Sequence, residues 1–171
     1  MTGDSTQGEL RVGIGFDSHP LVAGRSLILG GVHIPFDRGL SGWSDADVAV
    51  HAVVDALCGA ADMGDIGTLF PSQHPEYKDM SSLVLLRRTG ELLKAREMTV
   101  VNVDVVIIAD RPTLGPFISQ MRDRVSRALD IDSTRVTVKA TTTNGLGFVA
   151  TGEGMAAQAV ALVRRAEAPG G

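Results

Sequence analysis

TVVNVDVVIIA, residues Thr99–Ala109, sets the architecture. β-Branched side chains dominate it, and these favour a pleated, half-buried surface, so the stretch predicts a strand. Downstream, Asp110–Pro116 holds two prolines and reads as a loop. Phe117–Leu129 then places Ile118, Met121, Val125 and Leu129 at the spacing of one helix face. Asp130–Ser133 turns into a further strand, Val136–Thr142, and Gly145–Gly154, with four glycines, reads as a loop. Met155–Arg165 is ambiguous: its alanines argue for a helix, while its length and position permit a strand. Upstream, Ser81–Arg96 predicts a helix with Leu83, Leu86 and Leu93 on one stripe, weakened slightly by Gly90. Asp65–Lys78 reads as a loop. Asp45–Met63 predicts another helix, with Ser44 as its N-cap, Asp47 in a variant capping box and Gly64 as its terminator.

Nearer the start, Leu27–Ile34 (LILGGVHI) has a Gly-Gly centre and predicts a β-hairpin ended by Pro35. Phe36–Trp43 reads as a glycine-containing loop. Leu10–Asp17 alternates Val12, Ile14 and Phe16 against glycines, the pattern of a strand. Residues 1–9 are small and polar and read as a disordered tail, residues 10–166 as a single domain, and the end from Glu167 as frayed. The order of elements predicts an α/β (α+β) fold, a mixed sheet covered by helices on one face.

Composition narrows the function classes. The 171 residues carry 16 Lys and Arg against 20 Asp and Glu, a net charge of −4 without a basic stripe, which argues against a nucleic-acid partner. No apolar run approaches the roughly 20 residues of a membrane span. One cysteine, Cys58, excludes a disulfide framework and a Cys-rich zinc site, and points to a cytoplasmic setting. Five Phe, one Trp and one Tyr leave a core of aliphatic residues and alanine, a composition that often completes its burial by oligomerising.

Several constellations could carry chemistry. Asp17 and His19 lie two apart, so on a continuing strand both project to one side and offer an oxygen and a nitrogen to a divalent metal. Asp17-Ser18-His19-Pro20 is equally a set of turn formers. Asp47, His51 and Asp55, spaced four apart, share a helix face. His51 is a candidate third ligand with Asp47 or Asp55 orienting its ring, or part of a solvated polar face. Asp17, His19 and His51 would leave a fourth position open on zinc, and non-haem iron uses the same donor types. Lys139-Ala-Thr141-Thr142-Thr143-Asn144 offers hydroxyls and amides to phosphate oxygens, or is simply a β-prone strand end. Asp65-Ile66-Gly67 with Phe70-Pro71 could bind a sugar hydroxyl or cap a turn. Ala109–Gly115 (ADRPTLG) could grip a flat base through its backbone, or serve only as a connection.

In order along the chain, GFDSH (Gly15–His19), SDADVAVHAVVDAL (Ser44–Leu57), GDIGTLFP (Gly64–Pro71), NVDVVIIADRP (Asn102–Pro112), VKATTTNGLGF (Val138–Phe148) and GEG (Gly152–Gly154) resemble the 2-C-methyl-D-erythritol 2,4-cyclodiphosphate synthase family of the non-mevalonate isoprenoid pathway. The likeness runs from Arg11 to Val163. It implies a mixed four-stranded sheet, a last strand at Met155–Arg165, and a homotrimer with active sites at the subunit interfaces. It implies a lyase that cyclises a cytidine-diphosphate-linked substrate and releases CMP, with Zn2+ on Asp17, His19 and His51, one per subunit, and Mg2+ or Mn2+ bridging the phosphates.

By the same likeness, Thr142 would stabilise the transition state. Asp65 and Gly67 would line the methylerythritol pocket, and Ile66, Phe70, Pro71, Ser72, Gln73 and His74 would be further substrate contacts. Ala109, Asp110, Arg111, Pro112, Thr113, Leu114 and Gly115, with Thr141, Thr142 and Thr143, would contact cytidine and phosphate. Ser18, Ser44, Asn144, Phe148 and Thr151 complete the expected substrate contacts. Trp43 stands where the family motif normally reads a catalytic supporting His, Asn144 where an acidic residue usually helps hold the second metal, and Thr151 where an Arg faces the trimer axis. Two other readings fit these departures: an enzyme of the same fold acting on another nucleoside-diphosphate-linked phosphate, and a non-catalytic trimeric nucleotide- or diphosphate-binding protein.

Overall fold

The computed structural model describes residues 8–72 and 74–166. In chain order the strands are β1 (Leu10–Ala23), β2 (Leu27–Leu29), β3 (Val32–Ile34), β4 (Arg38–Leu40), β5 (Met98–Ile108), β6 (Val136–Thr141) and β7 (Gly154–Arg165). The helices are α1 (Val48–Ala60), α2 (Ile66–Leu69), α3 (Ser82–Ala95), α4 (Ile118–Leu129) and α5 (Gly147–Ala150). The main sheet has the order β4-β1-β7-β5-β6, and β2 and β3 form the expected hairpin. Four long strands make the mixed sheet; β4, in what reads from sequence as a loop, adds a short edge through Leu21–Ala23 of β1. The first strand continues past Asp17 through His19 and Pro20 to Ala23.

The sheet has a direction that positions everything else. β7 runs antiparallel to both β1 and β5, and β5 is parallel to β6. The C-terminal ends of β1, β5 and β6 therefore lie together at the end of the sheet where β7 begins.

One sheet face is built for close helix approach. Paired residues on antiparallel strands point to the same face. Gly13, Gly15 and Asp17 of β1 pair with Ala161, Ala159 and Ala157 of β7. A Cβ at Gly13 or Gly15 would run into the carbonyl of Ala56 or Ala52 on α1. The alanines of β7 that suggest a helix by propensity are buried under that same helix. Burial beneath α1 and pairing on both edges override propensity, so the segment is a central strand.

α1 is apolar all round and buried along nearly its whole length, so it has no solvated polar face. It starts at Val48 rather than Asp45, and its cap is Asp47, not Ser44. The Asp47 carboxylate accepts the N–H groups of Ala49 and Val50 at 3.1 Å, and those of Gly30 and Gly31 in the hairpin turn at 2.9 and 2.6 Å. Gly30 and Gly31 both adopt positive φ, as the tight turn requires. Burial and the nearby Asp45 push the Asp47 carboxyl up to about 6, against the pull of those donors. α1 ends at Ala60 with Ala61 as C-cap, before the expected Gly64. α3 and α4 lie near their predicted bounds and bury Leu86 and Leu93, and Met121, Val125 and Leu129.

Among the described residues, the opposite face of β1 and β7 carries no covering helix. Val12 pairs with Leu162, Ile14 with Val160 and Phe16 with Gln158. Val12, Ile14 and Phe16 are 69%, 64% and 58% exposed, a contiguous apolar surface. Glu9 accepts the Arg165 N–H at 2.9 Å, so residues 8 and 9 lie against the end of β7. The rest of the predicted tails, 1–7 and 167–171, falls outside the described residues.

Candidate metal and substrate site

Asp17 and His19 project from β1 towards α1, which presents His51. The contact that the two glycines allow brings three donor atoms together. Asp17 Oδ2 lies 2.9 Å from His51 Nδ1 and 3.1 Å from His19 Nε2, and the two imidazole nitrogens are 3.4 Å apart. Burial opposes ionisation of Asp17, but the hydrogen bonds from His19 and His51 outweigh it and hold the carboxyl well below its ordinary range. Burial also disfavours the charged form of His19, and Asp17 again outweighs it, so that pKa is raised.

The outward nitrogens are occupied. His19 Nδ1–H donates to the Ser41 carbonyl at 2.7 Å, which leaves Nε2, the nitrogen on Asp17, as the one a metal would take. His51 Nε2 lies 3.1 Å from Ser44 Oγ and 2.9 Å from Ser82 Oγ. Asp47 and Asp55, the expected orienting groups, do neither task. Asp47 caps the helix, and Asp55 accepts the Ile66 N–H at 2.7 Å. One carboxylate and two imidazoles, all within 4.8 Å of one another, fit a divalent metal of zinc type with a position left open.

That opening faces a cleft of about 230 Å³ lined by Trp43, Ser44, Ile66, Gly67, Phe70, Ser72 and Tyr77 besides the three ligands. Asp65 caps α2 through the Thr68 N–H and hydroxyl, both at 2.7 Å, and these bonds lower its pKa. The Trp43 indole N–H donates to the His74 carbonyl at 3.1 Å.

A second cluster sits at the ends of β5 and β6. Asp110 accepts the Thr143 N–H at 2.8 Å and so ties the 109–115 loop to the threonine run. Thr142 donates to the Asn144 side-chain oxygen at 3.2 Å, and Thr141, Thr142 and Asn144 are exposed. Asp17 pairs with Ala157, Ala157 with Ile107, and Ile107 with Ala140. The two clusters are thus level but three strand spacings apart, about 14 Å at ~4.8 Å per step.

Comparison with known proteins agrees with this arrangement. Residues 10–164 match the model of the YgbB family. A 2-C-methyl-D-erythritol 2,4-cyclodiphosphate synthase of Pelotomaculum thermopropionicum is 56% identical over 156 residues, covering 91% of this chain and 96% of its own. The chain belongs to the YgbB family, that of the 2-C-methyl-D-erythritol 2,4-cyclodiphosphate synthases. Among solved structures, a synthase in a CDP-bound form superposes with a TM-score of 0.81 at 38% identity, covering 90% of this chain and 99% of the other. The bifunctional IspDF of Campylobacter jejuni superposes with a TM-score of 0.89 at 37% identity over 92% of this chain, which spans 43% of that longer protein.

Against the residues that the family likeness marks, the fold gathers Asp17, His19, Trp43, Ser44, His51, Ile66, Gly67, Phe70 and Ser72 around one cleft. Ser18 and Phe148 line a neighbouring cleft of about 260 Å³ with His19 and Glu153. Asp110, Arg111 and Thr151 line a third, of about 370 Å³, with Arg38. Leu114 and Ala109 bury their side chains in the core, so only their backbones remain for contact. Pro112 is half-buried, and Pro71, Thr113 and Gly115 are exposed. Gln73 lies outside the described residues.

Tyr77, Arg38 and Ser82 escape the sequence reading. Tyr77 packs edge-on against Phe70 with ring centroids 5.7 Å apart, a meeting across a loop that no short spacing signals. Arg38 donates to the Gly152 carbonyl at 2.7 Å over a separation of 114 residues.

Proposed function

We propose that this protein is a zinc-dependent 2-C-methyl-D-erythritol 2,4-cyclodiphosphate synthase, a lyase converting 4-diphosphocytidyl-2-C-methyl-D-erythritol 2-phosphate into the cyclic diphosphate and CMP. The observation that carries the proposal is the convergence of Asp17, His19 and His51 on one point at the mouth of a cleft. An oxygen of the 2-phosphate attacks the β-phosphorus in line, the bond from that phosphorus to the bridging oxygen breaks, and CMP leaves with that oxygen. Such a step asks for positioning and charge stabilisation more than covalent chemistry. Zinc on these three residues supplies Lewis-acid polarisation of the diphosphate.

The chain's own residues do the rest. Ile66, Gly67, Phe70 and Trp43 shape the wall that holds the methylerythritol unit and exclude water from it. Because its N–H is spent on His74, Trp43 contributes shape rather than a donor to phosphate. Thr142 offers a hydroxyl to the transferring phosphate, with Thr141, Thr143 and the 109–115 backbone holding the nucleotide. Asn144 would help to hold Mg2+ or Mn2+, which would neutralise charge on the substrate phosphates.

The active assembly is a homotrimer in the cytoplasm. Two facts support the oligomer. The outer face of β1 and β7 leaves Val12, Ile14, Phe16 and Val160 exposed together, an apolar surface that a neighbouring chain would cover. Within one chain the strands that carry the metal and threonine clusters are three spacings apart, about 14 Å at ~4.8 Å per step, which favours sites that draw their two halves from adjacent subunits.

Phosphorus NMR of the zinc-loaded protein with magnesium and this substrate tests the proposal. Equal amounts of CMP and cyclic diphosphate are expected. Intact substrate with zinc bound would refute the synthase activity. Sedimentation analysis is expected to give three chains per particle.

A further inference from the structure

We infer that Ser82 and Asp45 are positioning residues that fix the tautomer and aim of the metal ligand His51; this rests on the metal-site reading above. A serine hydroxyl has one hydrogen, and whatever takes it decides what the oxygen does for everyone else. Asp45 takes it here. The Ser82 hydroxyl donates to Asp45 Oδ1, and the Ser82 backbone N–H donates to Asp45 Oδ2 at 3.0 Å. With its proton committed to a carboxylate, Ser82 Oγ meets His51 Nε2, 2.9 Å away, as an acceptor. Nε2 of His51 therefore carries a proton, and Nδ1, the atom that bonds Asp17 and faces His19, is the nitrogen a metal would take. Ser44 Oγ, at 3.1 Å, is a second and longer partner of the same N–H, and it also accepts the Ala46 N–H.

The chain Asp45–Ser82–His51 thus runs from a carboxylate, through a buried hydroxyl, to a buried imidazole. Ser82 is fully buried, so water cannot take its place. A carboxylate-backed acceptor at the outer nitrogen raises the basicity of the inner one and locks ring rotation. The segments that carry Asp45 and Ser82 are also held together. The Asp45 N–H donates to the Met80 carbonyl and the Asp79 N–H to the Trp43 carbonyl, at 3.1 and 2.9 Å, lacing the segment before α1 to the start of α3.

Asp45 has a competing, merely architectural task. It satisfies the first amide of α3, whose own N-cap Ser81 makes no side-chain bond. The hydroxyl separates the two roles. Ser82→Ala keeps the backbone N–H to Asp45 and deletes only the link to His51. Thr89→Val, at a buried hydroxyl that bonds the Leu85 carbonyl within α3, serves as the control for loss of a buried polar group.

The test is zinc affinity by chelator competition on the full chain, with the melting temperature of the zinc-free protein and the His51 Nε2–H resonance followed alongside. Ser82→Ala is expected to weaken zinc about 10- to 100-fold and to lose the slowly exchanging Nε2–H signal. Ser82→Thr should restore both, and Thr89→Val should leave both unchanged. Unaltered zinc affinity in Ser82→Ala overturns the inference. So does a Ser82→Ala effect matched by Thr89→Val, which would make Ser82 a packing residue. If the wild-type protein binds no zinc, or binds it without His51, the metal-site reading itself fails.

Discussion

The two halves of the proposed site are built on opposite plans. The metal corner is half-buried, and its imidazoles are held on both nitrogens: His19 between Ser41 and Asp17, His51 between Ser82 and Asp17. The threonine corner is exposed; Thr142 and Asn144 bond chiefly each other, while Thr143 is tied back to Asp110 and the Thr141 carbonyl to the Ala109 N–H. The first is complete within one chain. The second presents hydroxyls to a space that this chain does not enclose. A group that must hold an ion is preorganised by its own fold, whereas groups that meet a transient phosphate are presented across a boundary.

The sharpest way to break this contrast is to remove a ligand. His51→Ala, or chelation of the wild-type protein, is expected to lower CMP release by about 10³-fold or more, and added zinc should rescue only the chelated wild type. Phosphorus NMR and metal analysis read both. Thr142→Ala should lower turnover less, about 10²-fold, the usual effect of losing one oxyanion donor, with zinc content unchanged. Loss of zinc in Thr142→Ala would erase the division of labour. Unfolding the two inactive variants together and refolding them as mixed assemblies should return turnover well above either parent, because some sites then pair an intact metal corner with an intact threonine corner. No recovery would place both corners in one chain's site.

Trp43→Phe should cost only a few-fold in KM and leave kcat nearly unchanged, as expected where shape and not a donor is lost. A collapse of kcat would return Trp43 to a direct role. The smallest effect belongs to Cys58, buried towards the end of α1. Burial, then Asp55 and Asp65, push its thiol up to about 12. Iodoacetamide at pH 8 should leave it unmodified in the native protein. Its folded pKa exceeds the unfolded value of 9.0, so its contribution to stability is whole below pH 9 and fades as pH rises towards 12. Urea melts of the wild type and Cys58→Ala should converge over that range.

Much of the fold is legible from local pattern. β5, the hairpin, α3 and α4 follow from β-branched runs, a Gly-Gly turn and apolar stripes, and each pattern agrees with its tertiary setting. β7 is not, because alanine there answers to α1 overhead rather than to backbone preference. Asp17, His19 and His51 are legible by residue type and by family likeness, and Asp17 and His19 by their spacing of two on a strand. The partners of His51 are not. Asp47 and Asp55 have the right helical spacing, but the hairpin turn and Ile66 claim their carboxylates. Ser82 reaches His51 over 31 residues, and nothing near either residue announces it.

Asp47 has a consequence for motion. Its single carboxylate holds two amides of α1 and two of the hairpin turn, so the two elements share one buried acceptor. When the turn lifts away, water reaches that carboxylate and competes for it, and the cap of the helix weakens with the loss of the turn. The amides of Gly30, Gly31, Ala49 and Val50 belong to one cooperative opening unit and should exchange with solvent at a shared free energy, although the two pairs stand 18 to 20 positions apart in the chain.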